Sequence, residues 1–241
     1  MGSEARGAWM HRASAILDAS GERSPRVLDM GAGQGHLVHC FRSMGFTADG
    51  VEPSPAGRAA ARELYAIDLF DRVPTDRETT YSLATLIHSL EHARDPVGLL
   101  EDVRRILQPG GTVFIEVPNA ESIEMWVPRR RREILDVPAH LFHFVPRTLT
   151  LMVERAGFRV TEVTLSNPRP LERAFSFWAG IRASRTGGAT KASQATTTTS
   201  AQGREATTTR AWWRARALPA IRASFPGWKF HVVARLADAR L

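Results

Sequence analysis

Residues 27–35, VLDMGAGQG, set an apolar strand directly against three alternate glycines, and few folds accept that join. Gly31, Gly33 and Gly35 permit positive φ and let a ligand lie against bare backbone. Asp29 sits inside the strand, just before the turn. The next strand, within residues 46–55, ends in Glu52, 21 residues beyond Gly31. An acid at that place can accept both hydroxyls of a ribose. Around this join the periodicity alternates. Helices are expected over residues 5–19, 36–45, 56–65, 96–107 and 146–157, the fourth with Asp95 as N-cap, Pro96 at its first position and Pro-Gly-Gly as its stop. Strands are expected at 25–30, 46–52, 65–70, 81–90, 112–119, 158–165 and 227–236. Strands alternating with helices of about a dozen residues imply a parallel sheet wrapped on both faces. The expected fold is therefore α/β, a doubly wound, mostly parallel seven-stranded sheet with its ligands at the carboxyl ends of the strands.

The turn also discriminates between ligands. A dinucleotide fingerprint reads G-x-G-x-x-G/A, and here the sixth position is His36. A G-x-G-x-G preceded by an acid suits instead a nucleoside with no phosphate and a cationic tail, with Asp29 near its ammonium. S-adenosylmethionine meets that description better than NAD.

Four segments, in order, carry a family resemblance: VLDMGAGQGHLV, VEPSP, HSLEHARDPVGLLEDVRRILQPGGTVFIEVPN and HLFHFVPRTLTLMVERAGFRV. Together they resemble class I S-adenosylmethionine-dependent methyltransferases, in the broad group that holds ubiquinone-type O-methyltransferases and many natural-product and sugar methyltransferases. The resemblance spans about residues 24–165 and implies a Rossmann-like methyltransferase fold. It implies that Asp29, Gly31, Gly33 and Gly35 hold the methionine part, Glu52 the ribose and Asp68 the adenine, with Asp71 competing for the last role. One departure stands at the start of the fourth strand, where Tyr81-Ser82 replaces a common acid.

HSLEH, residues 88–92, has the spacing of an inverted zinc-protease motif. Such a motif needs a helix, so that positions four apart share a face. YSLATLI precedes it as a strand and Asp95-Pro96 starts the next helix, so the pentapeptide is expected to end the fourth strand. That is the edge where a methyl acceptor would sit. Some ubiquinone-type relatives hold a divalent ion with an E-x-x-E-H phrase. Here His88 stands for the first acid, and no metal site is assigned. His88 is expected to pack at the strand edge, and Glu91 and His92 each divide between a structural cap and a pocket role. An oxygen acceptor must lose a proton, and histidine titrates near neutrality. His92 and His140 are the expected catalytic residues, and His143 is expected to pack. The expected reaction is methyl transfer to a small-molecule acceptor, at oxygen. PRRRRE (128–133) could grip an anionic group, although a solvated run is commoner, and Trp126, Phe175, Phe177 and Trp178 could wall an apolar pocket or pack in the core.

Composition narrows the alternatives. Cys40 is the only cysteine, which excludes an intrachain disulfide and a thiolate zinc cluster. Lys191 and Lys229 are the only lysines, so there is no G-x-x-x-x-G-K-[ST] loop. Residues 1–184 hold 22 Arg/Lys against 23 Asp/Glu, and residues 185–241 hold 10 against 2, so the excess of +7 lies in the tail. A basic tail raises nucleic-acid binding as the main alternative function, and a metal-dependent hydrolase built on HSLEH is the lesser one. Residues 185–210 lack large apolar side chains and are expected to form a disordered linker inside one domain of 1–241, before a basic helix and final strand in 211–241. A further helix is expected over 171–184. No apolar run suits a membrane span and the N-terminus makes a poor signal peptide, so a cytoplasmic protein is expected, of unassigned oligomeric state.

Overall fold

The computed structural model of the protein describes residues 3–74, 80–126, 128–165 and 229–237. Its six strands are β1 (Arg26–Met30), β2 (Thr47–Val51), β3 (Tyr81–Ile87), β4 (Leu107–Pro118), β5 (Phe158–Leu165) and β6 (Lys229–Leu236). They form one sheet in the order β2-β1-β3-β4-β6-β5. β2, β1, β3 and β4 pair in parallel, while β6 runs antiparallel to both neighbours, so β5 shares the direction of the first four. The helices are α1 (Ser3–Ser20), α2 (His36–Ser43), α3 (Pro55–Tyr65), α4 (Pro96–Ile106), α5 (Pro128–Leu135) and α6 (Pro146–Arg155). This is the doubly wound, mostly parallel Rossmann-like sheet.

The expected strand at 65–70 survives only as one parallel bridge, Phe70 to Val51. Ala66 caps α3 in the left-handed region, and Asp68 turns outward to Arg62. Only Phe70 then reaches the register of β2, through Phe70 N–H to Gly50 O and Glu52 N–H to Phe70 O, both 2.9 Å. β4 starts earlier than expected because α4 ends at Ile106, and the pairing with β3 shifts register between Tyr81 and Leu83. The Asp95 carboxylate accepts from Gly98 N–H at 2.9 Å, the cap that sets where α4 begins. α5 and a 3-10 turn at Ile123–Trp126 were not foreseen. The sequence-expected helices at 171–184 and 211–223 and the linker at 185–210 lie outside the described residues. No helix among the described residues is long and apolar enough to cross a membrane.

The core divides at the sheet. Leu28, Leu86, Ile115 and Val232 face α4 and α6, meeting Leu100, Val103, Leu149 and Val153. Val27, Leu83, Phe114 and Val233 face α1 and α2, meeting Ala13, Ile16, Val38 and Phe41. Strand alternation then assigns Asp29, Thr85 and Glu116, near the carboxyl ends of β1, β3 and β4, to the α1–α2 face. The chain leaves β1 toward β2 and returns to β3 on its other side. The crevice at that switch point is where such sheets bind ligands.

Candidate active site at the carboxyl edge of the sheet

Close packing of β1 against β3 fixes the glycine turn. Gly31 has φ 77°, and a Cβ there would lie 2.6 Å from the Ser89 Cβ. The Gly31 and Ala32 N–H groups donate to Val51 O at 2.8 and 2.9 Å, which fastens the turn to β2. Gly33, at φ 55°, is different, because a Cβ there would meet nothing within 4 Å. The turn therefore exposes its backbone to open space at its middle glycine. Gly35, at φ 75°, begins α2 against Ala61.

Glu52 is held beside this opening by backbone donors. Gly33 N–H donates to its Oε2 and Ser54 N–H to its Oε1, both at 2.8 Å. Gly57 leaves room for the side chain, since a Cβ there would come within 2.8 Å of Glu52 Cγ. Asp29 lies behind the turn, 4% exposed, and accepts from Thr85 Oγ1 at 2.6 Å. Burial pushes its carboxyl up to about 6, against the Thr85 hydrogen bond and the Arg12 charge, while the Glu52 charge adds to the rise.

HSLEH does not form a zinc-protease helix. β3 stops at Ile87, His88 takes φ 51°, and Leu90–His92 make a single 3-10 turn. His88 lies between two carboxylates, with Nδ1 3.2 Å from Glu91 Oε1 and Nε2 3.3 Å from Glu116 Oε1. Burial alone would lower its pKa, yet hydrogen bonds and charge from Glu116 and Glu91 leave it raised. Glu116 is also paired with Arg12 and, at 2.7 Å, with Lys229 Nζ. Burial acts to raise its carboxyl, but His88, Arg12 and Lys229 together hold it down at about 2.

His92 and His140 come together from different segments, their ring centroids 4.8 Å apart. His92 Nδ1 lies 2.9 Å from Ala139 O and His140 Nδ1 2.8 Å from Ile134 O. A carbonyl only accepts, so each Nδ1 carries the proton and each Nε2 keeps its lone pair in the neutral ring. The segment is fastened by Leu141 and Phe142 N–H groups donating to Glu91 O at 2.8 and 3.1 Å. The Glu91 side chain is 1% exposed, and among the described residues its Oε2 has no hydrogen-bond partner. Ligand atoms of Glu91, His92 and His140 lie within 4.8 Å of one another, a set able to hold a metal ion that spacing along the sequence did not assign.

Other expected residues lie apart. Asp68 pairs with Arg62 at 2.5 Å on the solvent side. Asp71 follows Phe70, whose backbone is bonded to that of Glu52, and pairs with Arg72. His143 is exposed rather than packed, with Nε2 2.9 Å from Leu135 O at the end of α5. Trp126 is 88% exposed and walls no pocket among the described residues. Thr85, Arg12, Glu116 and Lys229 were not singled out for the site. Thr85 and Glu116 gave only the signal of a polar residue inside an apolar strand, Lys229 stands at the start of one, and Arg12 on α1 gave none.

Comparison with known proteins agrees with this geometry. A methyltransferase-domain family matches residues 1–163. A ubiquinone biosynthesis O-methyltransferase from Aeromonas salmonicida is 26% identical over 182 residues, which cover 66% of this chain and 74% of that protein. A SAM-dependent methyltransferase from Archaeoglobus fulgidus superposes with a TM-score of 0.62 at 16% identity, covering 95% of this chain and 94% of the other. The Burkholderia thailandensis 1,6-didemethyltoxoflavin-N1-methyltransferase, solved with S-adenosylhomocysteine, superposes with a TM-score of 0.54 at 18% identity, covering 96% and 79%. Neither the nucleic-acid nor the hydrolase alternative gains support from these relatives. The open glycine turn, the anchored Glu52 and the match over residues 1–163 lead to one conclusion: the chain belongs to the methyltransferase-domain family and is a class I S-adenosylmethionine-dependent methyltransferase.

Proposed function

We propose that this methyltransferase is cytoplasmic and transfers its methyl group to an oxygen of a small-molecule acceptor bound at the carboxyl edge of β3. The observation that carries the proposal is the His92–His140 pair, with both Nδ1 atoms committed to backbone carbonyls. The name of the Aeromonas salmonicida relative supports oxygen as the target.

S-adenosylmethionine supplies the methyl on a sulfonium sulfur, and the electron pair of the breaking C–S bond stays on the neutral thioether. In this reading the ionised Asp29 takes the ammonium, Gly33 offers bare backbone, and Glu52 receives the ribose hydroxyls. Asp68 or Asp71 lies toward the adenine. The acceptor hydroxyl gives its proton to Nε2 of His92 or His140 as the new C–O bond forms. Reacting atoms must be held about 3–3.5 Å apart, which is the task of the rigid edge around β3. The proton acceptor contributes about 10²–10⁴-fold.

The lone Glu91 Oε2 favours a second reading of the same cluster. Glu91, His92 and His140 would hold a divalent cation, with the carbonyl bonds at both Nδ1 atoms fixing the imidazoles as ligands. The cation would lower the pKa of an acceptor hydroxyl.

The test combines binding and turnover. Calorimetry with S-adenosylmethionine and S-adenosylhomocysteine should give micromolar binding, lost in Gly33→Arg and in Glu52→Ala. Phenolic and other hydroxylated acceptors are then screened by mass spectrometry. His92→Ala and His140→Ala should bind the cofactor normally and lose about 10²–10⁴ in turnover. Loss of turnover in chelator, with recovery on adding magnesium or zinc, selects the cation; insensitivity to chelator selects the base. Full turnover by both histidine variants would end both readings.

A further inference from the structure

A cavity of about 560 Å³ opens between α1, α2 and the end of α3, of a size that holds a small molecule. Its lining includes Arg6, His39, Arg62, Glu63, Leu64 and Tyr65, and none of Asp29, Gly33 and Glu52. α3 passes the glycine turn at Gly57, where an added Cβ would come within 3.0 Å of Gly33 O. It reaches the cavity at Tyr65, about 12 Å further along the helix. The aromatic wall there is fixed in place. His39 stacks on Tyr65 with ring centroids 4.3 Å apart, Tyr65 Oη lies 2.6 Å from His36 Nδ1, and the Trp9 ring meets that of His36 at 5.5 Å.

The charges around this wall do not all cancel. Arg6 Nη2 lies 3.2 Å from His39 Nε2. A guanidinium only donates, so that nitrogen carries the lone pair and His39 is neutral. Burial and the Arg6 charge both lower the His39 pKa, which keeps it so. Arg62 and Asp68 neutralise each other at 2.5 Å. Among the described residues Arg6 meets only the neutral His39, and Glu63 forms no ion pair. The cavity therefore holds one uncompensated cation on α1 and one uncompensated anion on α3, beside an aromatic wall and Leu64, which is 45% exposed.

We propose that this cavity binds a free α-amino acid with an apolar side chain. The Arg6 guanidinium takes the carboxylate, Glu63 takes the ammonium, and the side chain lies against Tyr65 and Leu64. A phosphate would set a like charge against Glu63, and a simple cation would do the same to Arg6. A zwitterion answers both. The occupant joins α1 to α3 and takes no part in methyl transfer. Asp29 offers an amino acid's ammonium a second place, the one proposed for the cofactor, so the test fills that place first.

The test is calorimetric titration of the full chain with L-leucine, first on the empty protein and then with S-adenosylhomocysteine saturating. Leucinamide, which keeps only the ammonium, and 4-methylpentanoate, which keeps only the carboxylate, are titrated beside it. Leucine should bind in both states, and each half-ligand should bind about fivefold more weakly, the scale of one solvent-exposed ion pair. Arg6→Gln and Glu63→Gln should each weaken leucine by a similar factor, with the affinity for S-adenosylhomocysteine unchanged as the sign of an intact fold. Four results overturn the proposal. One is no leucine binding to the empty protein at millimolar concentration. Another is binding abolished by S-adenosylhomocysteine, which would place leucine in the cofactor site. The third is equal affinity for leucine and either half-ligand, which would leave a bare charge contact. The last is undiminished leucine binding by both variants.

Discussion

Replacing Asp29 by asparagine should make the empty protein more stable and the enzyme worse. Asp29 is buried, and its carboxyl is pushed from 3.8 to about 6. Between about pH 4 and 6 the folded chain therefore holds a proton that the unfolded chain has lost. By linkage, its contribution to stability falls as pH rises through that window. Above pH 6 the full cost of the buried charge is present, about 3 kcal/mol at 1.36 kcal/mol per pH unit. The asparagine amide removes the charge, keeps the shape, and can still accept from Thr85 Oγ1. Asp29→Asn should gain about 1–3 kcal/mol at pH 7.5, or about 2–4 °C of melting temperature per kcal/mol in a chain of this length, and nearly nothing at pH 4. The ligand's ammonium, meanwhile, loses a charged partner worth about 1.5–3 kcal/mol, so affinity should fall at least tenfold. Wild-type affinity should also weaken below pH 6, while that of the variant should not. Urea unfolding at pH 4, 6 and 7.5, with calorimetry at the upper two, reads both signs. A variant less stable than wild type at pH 7.5, with unchanged affinity, would refute the argument that Asp29 is a strained carboxylate kept for a cation.

Two further perturbations test the frame around it. Gly31→Ala forces a Cβ to 2.6 Å from Ser89 Cβ at φ 77°, so the urea midpoint should drop by the equivalent of about 1–3 kcal/mol, and Ser89→Gly should restore only the contact part. Glu116→Gln should cost about 3 kcal/mol at neutral pH, since a carboxyl held at about 2 rather than 4.5 stabilises the fold above its ordinary value. That cost should vanish as pH falls from 4.5 toward 2; a cost that persists undiminished there would show that packing, not charge, holds Glu116 in place.

The glycine turn and the Asp95 cap were legible in the sequence because their determinants are local. Gly31, Gly33 and Gly35 take positive φ within the turn itself, and Asp95 reaches only to Gly98. The charge network was not legible. Glu116 draws Arg12 from 104 residues away and Lys229 from 113, and no period in the sequence joins them. α5 escaped notice for another reason. Its run of arginines hides the single apolar anchor, Ile134, that seats the helix. The strand at 65–70 failed in the opposite direction. Its composition suits a strand, but a left-handed Ala66 and the Asp68–Arg62 pair leave one residue in register.

HSLEH separates what spacing can tell from what it cannot. Two histidines four apart share a face only on a helix. At the end of β3 the same letters point apart. His88 reaches back to Glu116 on β4, and His92 turns outward to the carbonyl of Ala139. The chemical partner that the motif would have supplied within itself comes instead from His140, 48 positions later by number. Glu91 is the hinge of that exchange. Its carboxylate goes to His88, while its carbonyl takes Leu141 and Phe142 N–H and so carries the His140 segment to His92. A substitution that spares both histidines but frees residues 141–142 from that carbonyl should therefore separate the two rings and reduce turnover with cofactor binding intact. Proline in place of Leu141 removes one of the two donors. Undiminished turnover by Leu141→Pro, with a folded cofactor-binding domain, would mean that the pairing of His92 with His140 has no part in the reaction.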